Sequence, residues 1–200
     1  MAINNLKEEI EKLRKVKGEI RGVSLKGDGE FVLKEVGEKG LKKLEETMAK
    51  LGFPIKYREI KPMSFYPLSL DAINLVTITK LFNFDEKKLQ ELGRFLAKAS
   101  LLLRLFMRYF ASIETIAKKA PEMWKKSYTI GDLKFVKFDK EKKHMIIRLG
   151  NFQVHPLYCP VFRGYLSCVV HMVINSEITC EETKCMFRGD PYHEFSLKWD

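Results

Sequence analysis

The side chains best suited to chemistry lie in the last quarter of the sequence, where all four cysteines fall. Cys185 and His193 flank a turn centred near Gly189, and a hairpin there places their Cβ atoms opposite one another, roughly 4.5–5.5 Å apart. Thiolate and imidazole suit a Zn²⁺ ion, and Cys159, at the start of the preceding helix, is a third candidate ligand. The spacing predicts a zinc site. The simpler interpretation is that Cys159 packs in the core and His193 is a hydrogen-bonded strand residue.

The fourth ligand of this predicted site stays open. The candidates are His155, four residues before Cys159, and two carboxylates of a charged turn, Asp139 and Glu141. Cys180 is less suitable, because in a regular strand it would point to the face opposite Cys185. Glu182 would matter for a catalytic ion with an open position, whereas a structural ion is closed by four ligands.

Two C-terminal segments resemble the signature of the 4-vinyl reductase family. They are residues 158–165, YCPVFRGY, and residues 181–195, EETKCMFRGDPYHEF. The resemblance is to the sensor domains of phenol-responsive transcription activators in particular. It implies that Cys159 and Cys185 bind zinc and that His193 stands where the family usually has a third cysteine. It also implies a homodimer.

The same resemblance implies a fold similar to small trafficking-complex subunits, which enclose an apolar tunnel beneath a central helix. The residues predicted to line such a ligand pocket are Phe95, Phe106, Tyr109, Phe110, Trp124 and Phe162. An aromatic stripe at helical spacing is also typical of core packing, and a cavity would distinguish the two.

Hydropathy patterns indicate an α+β fold that positions these residues. The strands are joined by hairpins and the helices come in blocks, which favours an antiparallel sheet with helices packed on one side. Residues 1–35 are predicted to be an N-terminal helix (3–17) and a hairpin turning at Lys26-Gly27-Asp28-Gly29, and to serve in dimerisation.

Residues 36–200 are predicted to form the core. Its elements are a long apolar central helix from Asp85 to Phe110, strands at 132–138 and 143–149, a helix at 156–174, and a zinc-clamped C-terminal hairpin.

Length and composition limit the class of protein. A chain of 200 residues with 46% hydrophobic and 31% charged residues predicts one folded domain, residues 1–200. The net charge of +10 favours anionic partners, but the lysines are dispersed, which makes nucleic acid an unlikely partner. The N-terminus lacks a secretory pattern, so a cytoplasmic location is expected. Charges interrupt the most apolar run, which disfavours a membrane span.

Together these features predict a binding or sensing domain for a hydrophobic small molecule, with a structural zinc ion and a homodimeric assembly. An enzyme that reduces a vinyl group of a tetrapyrrole is one alternative, although the sequence has no dinucleotide-binding fingerprint. A basic module that binds protein or nucleic acid is the other.

Overall fold

The protein is described by a computed structural model that covers residues 2–100 and 113–200, with side chains from Glu8 onward in the first range. The chain divides into two compact units, one ending at Asp85 and the other beginning at Glu86. Each unit has its own antiparallel strand pairing. The predicted α+β class with antiparallel sheets is therefore confirmed, whereas a single domain over residues 1–200 stays a prediction.

The N-terminal unit consists of three helices and a short strand pair. The helices are α1 (Ala2–Leu13), α2 (Gly22–Lys50) and α3 (Leu68–Phe82), and the antiparallel strands are β1 (Glu19–Arg21) and β2 (Phe65–Pro67). Gly37 interrupts α2 with a φ of +78°. Ile73, Val76 and Ile78 of α3 are fully buried, so α3 forms the centre of this unit's core.

The hairpin predicted at residues 26–29 is wrong, because these residues lie inside α2. Gly29 serves close packing instead of a turn. A Cβ atom on Gly29 would lie 2.5 Å from the ring of Tyr57, so only a glycine lets that ring rest on the helix. The pattern of glycines signals a tertiary contact that local turn rules interpret as a reversal of the chain.

The C-terminal unit packs three described helices with a four-stranded antiparallel sheet. The helices are α4 (Glu86–Ala99), α5 (Ile113–Ser127) and α6 (Tyr158–Ile174); the strands are β3 (Asp132–Asp139), β4 (His144–Gly150), β5 (Ile178–Lys184) and β6 (His193–Trp199). The strand order is β3-β4-β6-β5. These strands and α6 confirm the predicted elements. The predicted central helix is described only as α4, and its remainder to Phe110 falls outside the described residues.

Helices α4 and α6 approach each other through two glycines. A Cβ atom on Gly164 would lie 2.0 Å from the backbone oxygen of Gln90, and one on Gly93 would lie 2.0 Å from that of Val161. No other residue fits at either position without moving a helix. This contact fixes the position of α6 against α4, and with it the position of Cys159.

No helix within the described ranges is both long and apolar enough to cross a membrane. The two helices with the most apolar sequences, α3 and α6, are 15 and 17 residues long. Both are shorter than the roughly 20 residues that span a bilayer.

Candidate functional site

The C-terminal hairpin, formed by β5 and β6, directs the side chains of Glu182 and His193 toward α6. Glu182 pairs with Phe195 across the hairpin, but Lys184 pairs with Glu194, so one extra residue, Thr183, is accommodated by a bulge. Side chains alternate between faces along a strand, and a bulge shifts that alternation by one. Glu182 and Cys185, three residues apart, consequently share the inner face.

The bulge also corrects the argument about Cys180. Cys180 pairs with the fully buried Leu197 and lies on the inner face, not on the face opposite Cys185. It is nevertheless not one of the residues that meet Cys185. Its backbone oxygen accepts a hydrogen bond from Arg163 of α6.

A tight turn after β5 orients Cys185. The backbone N–H of Cys185 donates to Oδ2 of Asp190 at 2.8 Å, and the carbonyl of Cys185 accepts from the N–H groups of Arg188 and Asp190. Gly189 closes the turn with a φ of +93°, a left-handed conformation that favours glycine. Cys185 is therefore held at both of its backbone polar groups.

Helix α6 supplies the second thiol at its first turn. The N–H of Cys159 donates to the carbonyl of Pro156, and the N–H of Leu157 donates to Nδ1 of His155. Pro160 occupies a position where its missing N–H costs nothing. Cys159 is 8% exposed and faces the hairpin.

Four side chains meet in this place and form what we term the donor cluster. Its members are Cys159, Glu182, Cys185 and His193. Each offers one ligand atom, and these atoms all lie within 4.8 Å of one another. The Sγ atoms of Cys159 and Cys185 are 3.8 Å apart, and Cys159 Sγ is 3.9 Å from Nδ1 of His193. Sequence reasoning chose three of these residues and noticed Glu182 without making it a ligand.

The orientation of His193 is fixed by its hydrogen bonds. Its Nε2 lies 3.1 Å from the carbonyl oxygen of Phe152, which can only accept, so Nε2 carries the proton and donates. Its Nδ1 then faces the cluster, 2.8 Å from Oε1 of Glu182. Donation from the distal nitrogen to a backbone carbonyl is the usual arrangement of a metal-binding histidine.

The pKa values of two acids in the cluster shift in opposite directions. Burial, followed by the nearby charge of Glu182, raises the pKa of the Cys159 thiol well above its ordinary value. Burial would also raise the pKa of Glu182, but hydrogen bonds from His193 and Cys159 outweigh it and lower that pKa. An anionic carboxylate therefore sits beside a thiol that keeps its proton until a cation replaces it.

The other predicted ligands lie elsewhere. Nδ1 of His155 accepts the hydrogen bond at the start of α6, and Oδ1 of Asp139 accepts from the N–H of Lys142 in the β3–β4 turn. Glu141 lies in the same turn. The structure brings none of these three into the donor cluster and supplies Glu182 in their place.

Two of the predicted pocket residues belong to an aromatic core. The ring of Phe152 lies 5.4 Å from those of Trp124 and Phe162 and is buried. Tyr128 stacks on Trp124 at 4.2 Å. Of the other predicted lining residues, Phe95 is half-buried on α4, and Phe106, Tyr109 and Phe110 lie outside the described residues. The pocket stays a prediction.

Comparison with known proteins gives a fold. No protein-family model matches the sequence, and no curated protein is similar to it. Solved structures do match. An H-NOX protein from S. oneidensis, in its Fe(II)NO ligation state, has a TM-score of 0.69 at 14% identity, covering 90% of this chain and 99% of its own. This chain shares the H-NOX fold.

Further H-NOX structures agree. An H-NOX domain from Shewanella oneidensis in the Fe(II)CO state gives a TM-score of 0.66 at 15% identity, covering 90% of this chain and 99% of its own. An unliganded Fe(II) H-NOX variant from K. algicida gives 0.65 at 11% identity, covering 90% and 97%. At these identities the likeness shows the H-NOX fold alone.

The H-NOX likeness corrects two predictions. The resemblance to the 4-vinyl reductase family is wrong, because the solved structures that match are H-NOX proteins, and the vinyl reductase alternative falls with it. The prediction of zinc as the cofactor is also wrong, because the matched structures are described as iron and heme proteins.

The H-NOX fold implies a heme, and histidine is a common axial ligand of heme iron. The four histidines are His144, His155, His171 and His193, all within the described part of the C-terminal unit. Only His193 is buried, and both of its ring nitrogens have protein partners, at 2.8 and 3.1 Å. An axial imidazole must give one nitrogen to the iron inside an apolar pocket. The histidines of this chain therefore do not fit a heme.

Proposed function

We propose that this chain is a small-molecule-binding sensor domain with the H-NOX fold, in which a transition-metal ion joins the C-terminal hairpin to α6. The convergence of the donor cluster carries this proposal. Helix α6, strands β5 and β6 and the turn between these strands bring two sulfur, one nitrogen and one oxygen donor to one buried place. Such a set matches the preference of first-row transition metals for thiolate and imidazole ligands.

The spacing of the sulfur atoms supports a tetrahedral ion. Metal–thiolate bonds are about 2.3 Å long, so two thiolates at adjacent corners of a tetrahedron lie about 3.8 Å apart. The Sγ atoms of Cys159 and Cys185 are 3.8 Å apart. Nδ1 of His193 and Oε1 of Glu182, at 2.8 Å, are closer than two ligands of one ion, because a hydrogen bond joins them. Binding requires only that this pair separates slightly.

The ion would act as a structural clamp. With four protein donors no coordination position remains for a substrate, and a closed site of this kind stabilises a fold without doing chemistry. It would tie the turn between Cys185 and His193 to the first turn of α6. The carboxylate of Glu182, which has a lowered pKa, would supply negative charge at neutral pH.

The decisive experiment is elemental analysis of the protein purified without added metal. We expect about one ion per chain, and the same elemental analysis identifies the metal. A double variant, Cys185→Ser with His193→Ala, should lose it. The matched control, Cys168→Ser with His171→Ala, changes the same residue types outside the cluster and should keep it. A wild-type chain that is metal-free and gives no thiolate absorption band on adding Co²⁺ overturns the proposal.

The sensing role rests on the fold. The H-NOX structures that match over 90% of this chain are described as NO and CO complexes of Fe(II), so small ligands are the class this fold is known to hold. For this chain we propose a small apolar molecule, in a pocket lined by Phe95, Trp124 and Phe162 together with the aromatic residues at positions 106, 109 and 110.

Thermal unfolding with phenol or indole as probes tests this role. A rise in the unfolding temperature with probe concentration, equal at low and high salt, supports an apolar site. A steep loss of the effect with salt points to the basic interaction module instead. No shift with any apolar probe, in a chain that holds its ion, overturns the sensing role while leaving the metal site intact.

Homodimerisation remains a prediction, and less apolar surface is available for it than the sequence indicated. Ile10 and Leu13 of α1, part of the stripe assigned to a partner helix, are 2% and 3% exposed and belong to the core of the N-terminal unit. Less of α1 is therefore left for a partner. Equilibrium sedimentation at micromolar concentration measures the outcome, and a monomer would remove homodimerisation from the proposed function.

A further inference from the structure

The outer face of the C-terminal sheet, opposite the face that carries the donor cluster, has a row of charged side chains. Arg148 lies between two buried residues of β4, so its side chain points to the outer face. Glu194 of β6 lies opposite Arg148, and Lys184 of β5 lies opposite Glu194. On the other side, Lys134 of β3 lies opposite Arg148. Opposed side chains have Cβ atoms roughly 4.5–5.5 Å apart, so these residues are neighbours.

Tyr192, the residue before β6, brings two of these cations to one ring. The guanidinium carbon of Arg148 lies 4.5 Å from the ring centroid of Tyr192, and Nζ of Lys184 lies 5.1 Å from it. Nζ of Lys184 also donates a hydrogen bond to the hydroxyl oxygen of Tyr192 at 3.2 Å. Contact with an aromatic ring stabilises both cations. We term Arg148, Lys184 and Tyr192 the outer cluster.

Glu194 holds Arg148 in place. Its Oε2 accepts a hydrogen bond from Nε of Arg148 at 2.6 Å, and its Oε1 accepts one from the hydroxyl of Thr183 at 2.9 Å. Glu194 is 9% exposed. Burial would raise the pKa of Glu194, but the hydrogen bonds from Arg148 and Thr183 outweigh it and lower that pKa. Glu194 is therefore an ionised support with both of its oxygens engaged.

The outer cluster has more hydrogen-bond donors than acceptors. Within residues 8–100 and 113–200, the terminal N–H groups of Arg148 have no acceptor, and Lys184 has N–H groups beyond the one given to Tyr192. The hydroxyl of Tyr192 accepts from Lys184 and keeps its own proton to donate. With Lys134, the row carries three positive charges against the one negative charge of Glu194. The donor cluster gathers lone pairs, which suit a cation, whereas this arrangement suits an anion.

We propose that the outer cluster is a binding site for the phosphate group of a small molecule, to which Arg148, Lys184 and Tyr192 donate hydrogen bonds. A phosphate monoester has three acceptor oxygens and a charge of about −1.5 to −2 at neutral pH. Three donor side chains match three oxygens, and the surplus of positive charge matches a dianion. A carboxylate, with two oxygens and one charge, fits less well. The site lies apart from the metal clamp and the apolar pocket, so it does not rest on the proposed function.

Isothermal titration calorimetry of the purified chain with inorganic phosphate and with phenyl phosphate tests the site. The ionic strength is held constant, because salt screens exposed charges. Lys184→Gln and Tyr192→Phe each remove one donor and leave the bond between Arg148 and Glu194 in place. The matched control is Lys198→Gln, which removes the same charge from an exposed position of β6 on the same face. The unfolding temperature and metal content of each variant are measured alongside.

We expect one phosphate site per chain. Lys184→Gln should weaken binding about 10-fold, since a charge-assisted hydrogen bond is lost, and Tyr192→Phe should weaken it about 5-fold. Lys198→Gln should change it less than about 2-fold. Tighter binding of phenyl phosphate than of inorganic phosphate identifies an organic monoester as the ligand, and equal binding identifies the phosphate ion itself. Either result supports the site.

Three outcomes would overturn the proposal. The first is that neither probe shows saturable binding. The second is that Lys198→Gln weakens binding as much as Lys184→Gln, which would show attraction to the general positive field of the protein. The third is that binding persists in Lys184→Gln and Tyr192→Phe but is lost when a chelator removes the metal ion, because the phosphate would then be held by the ion.

Discussion

Each unit buries a group of polar side chains. The two groups differ in whether each hydrogen-bond acceptor faces a donor or another acceptor. In the N-terminal unit, Tyr57 donates to Asn74, and the amide of Asn74 donates to Asp28 at 2.8 Å. We term this the N-terminal network. Its donors and acceptors are matched in a chain. In the donor cluster, two thiols, a carboxylate and an imidazole nitrogen turn their lone pairs toward one another.

The difference separates a structural network from a binding site. Burying polar groups costs little when each finds a partner of the opposite kind, as in the N-terminal network. Four buried groups that all present lone pairs can interact favourably only if some of them are protonated and donate hydrogen bonds, or if they all bind one cation. Burial alone does not identify a site; the kind of partner does.

The largest effect is expected from moving α6, which should disrupt one group and spare the other. Gly164→Ala places a methyl group against the backbone of Gln90 and should cost about 3 kcal/mol of stability, with loss of metal. Gly150→Ala, where a Cβ meets nothing within 4 Å, is the matched control. Hydrogen exchange should rise around α6 and stay unchanged in α2 and α3. Equal stability of the two variants would contradict the close contact.

The reciprocal test breaks the N-terminal network. Asn74→Ala leaves Tyr57 and Asp28 without their shared partner and should cost about 2–3 kcal/mol, because buried polar groups then lack hydrogen bonds. Tyr57→Phe, which removes one donor, should cost about 1 kcal/mol. Urea unfolding measures both. The metal content should equal that of wild type, and a reduced content would show that the two groups are coupled.

A weaker change should loosen the donor cluster without emptying it. Asp190→Ala removes the acceptor for the N–H of Cys185 and should lower metal affinity about 10-fold, a typical loss for a residue that orients a ligand. Asp139→Ala removes a similar turn bond, to Lys142, and is the control. Competition with a chelator of known affinity measures both. A larger loss in Asp139→Ala would restore Asp139 as a ligand.

The smallest effect is a pH dependence that belongs to the N-terminal network. Burial, and then the charge of Asp71, raises the pKa of Asp28 well above 3.8. Its contribution to stability is therefore complete below pH 3.8 and is lost as pH rises through the folded-state pKa. Asp28→Asn should remove this decline of stability above pH 3.8, measured by urea unfolding at a series of pH values. An unchanged decline would assign it to another group.

Much of the C-terminal unit was predictable from the sequence because its signals are local. Alternating strands around the turn at 139–142, and a turn at Gly189 that sets Cys185 opposite His193, depend on neighbours in the chain. Gly29 was misleading, because its role is to admit Tyr57, which lies far along the chain. The short segments quoted for the family resemblance describe a helix start and a hairpin, which different folds can share.

The likeness to H-NOX proteins could not be predicted from any motif. At 11–15% identity the chains share few residue types, and what they share is which positions of the fold are buried. Glu182 was missed as a ligand for a different reason. In a regular strand Glu182 would point away from Cys185, and the residue types at positions 181–185 do not predict a bulge.

That bulge lets the hairpin tolerate the loss of a single codon. Deleting Thr183 would restore regular alternation and leave Glu182 opposite Phe195, two residues from Cys185 and on the same inner face. All four donors would keep their places. Strand length can therefore change by one residue at this position during evolution without changing the number of donors in the hairpin.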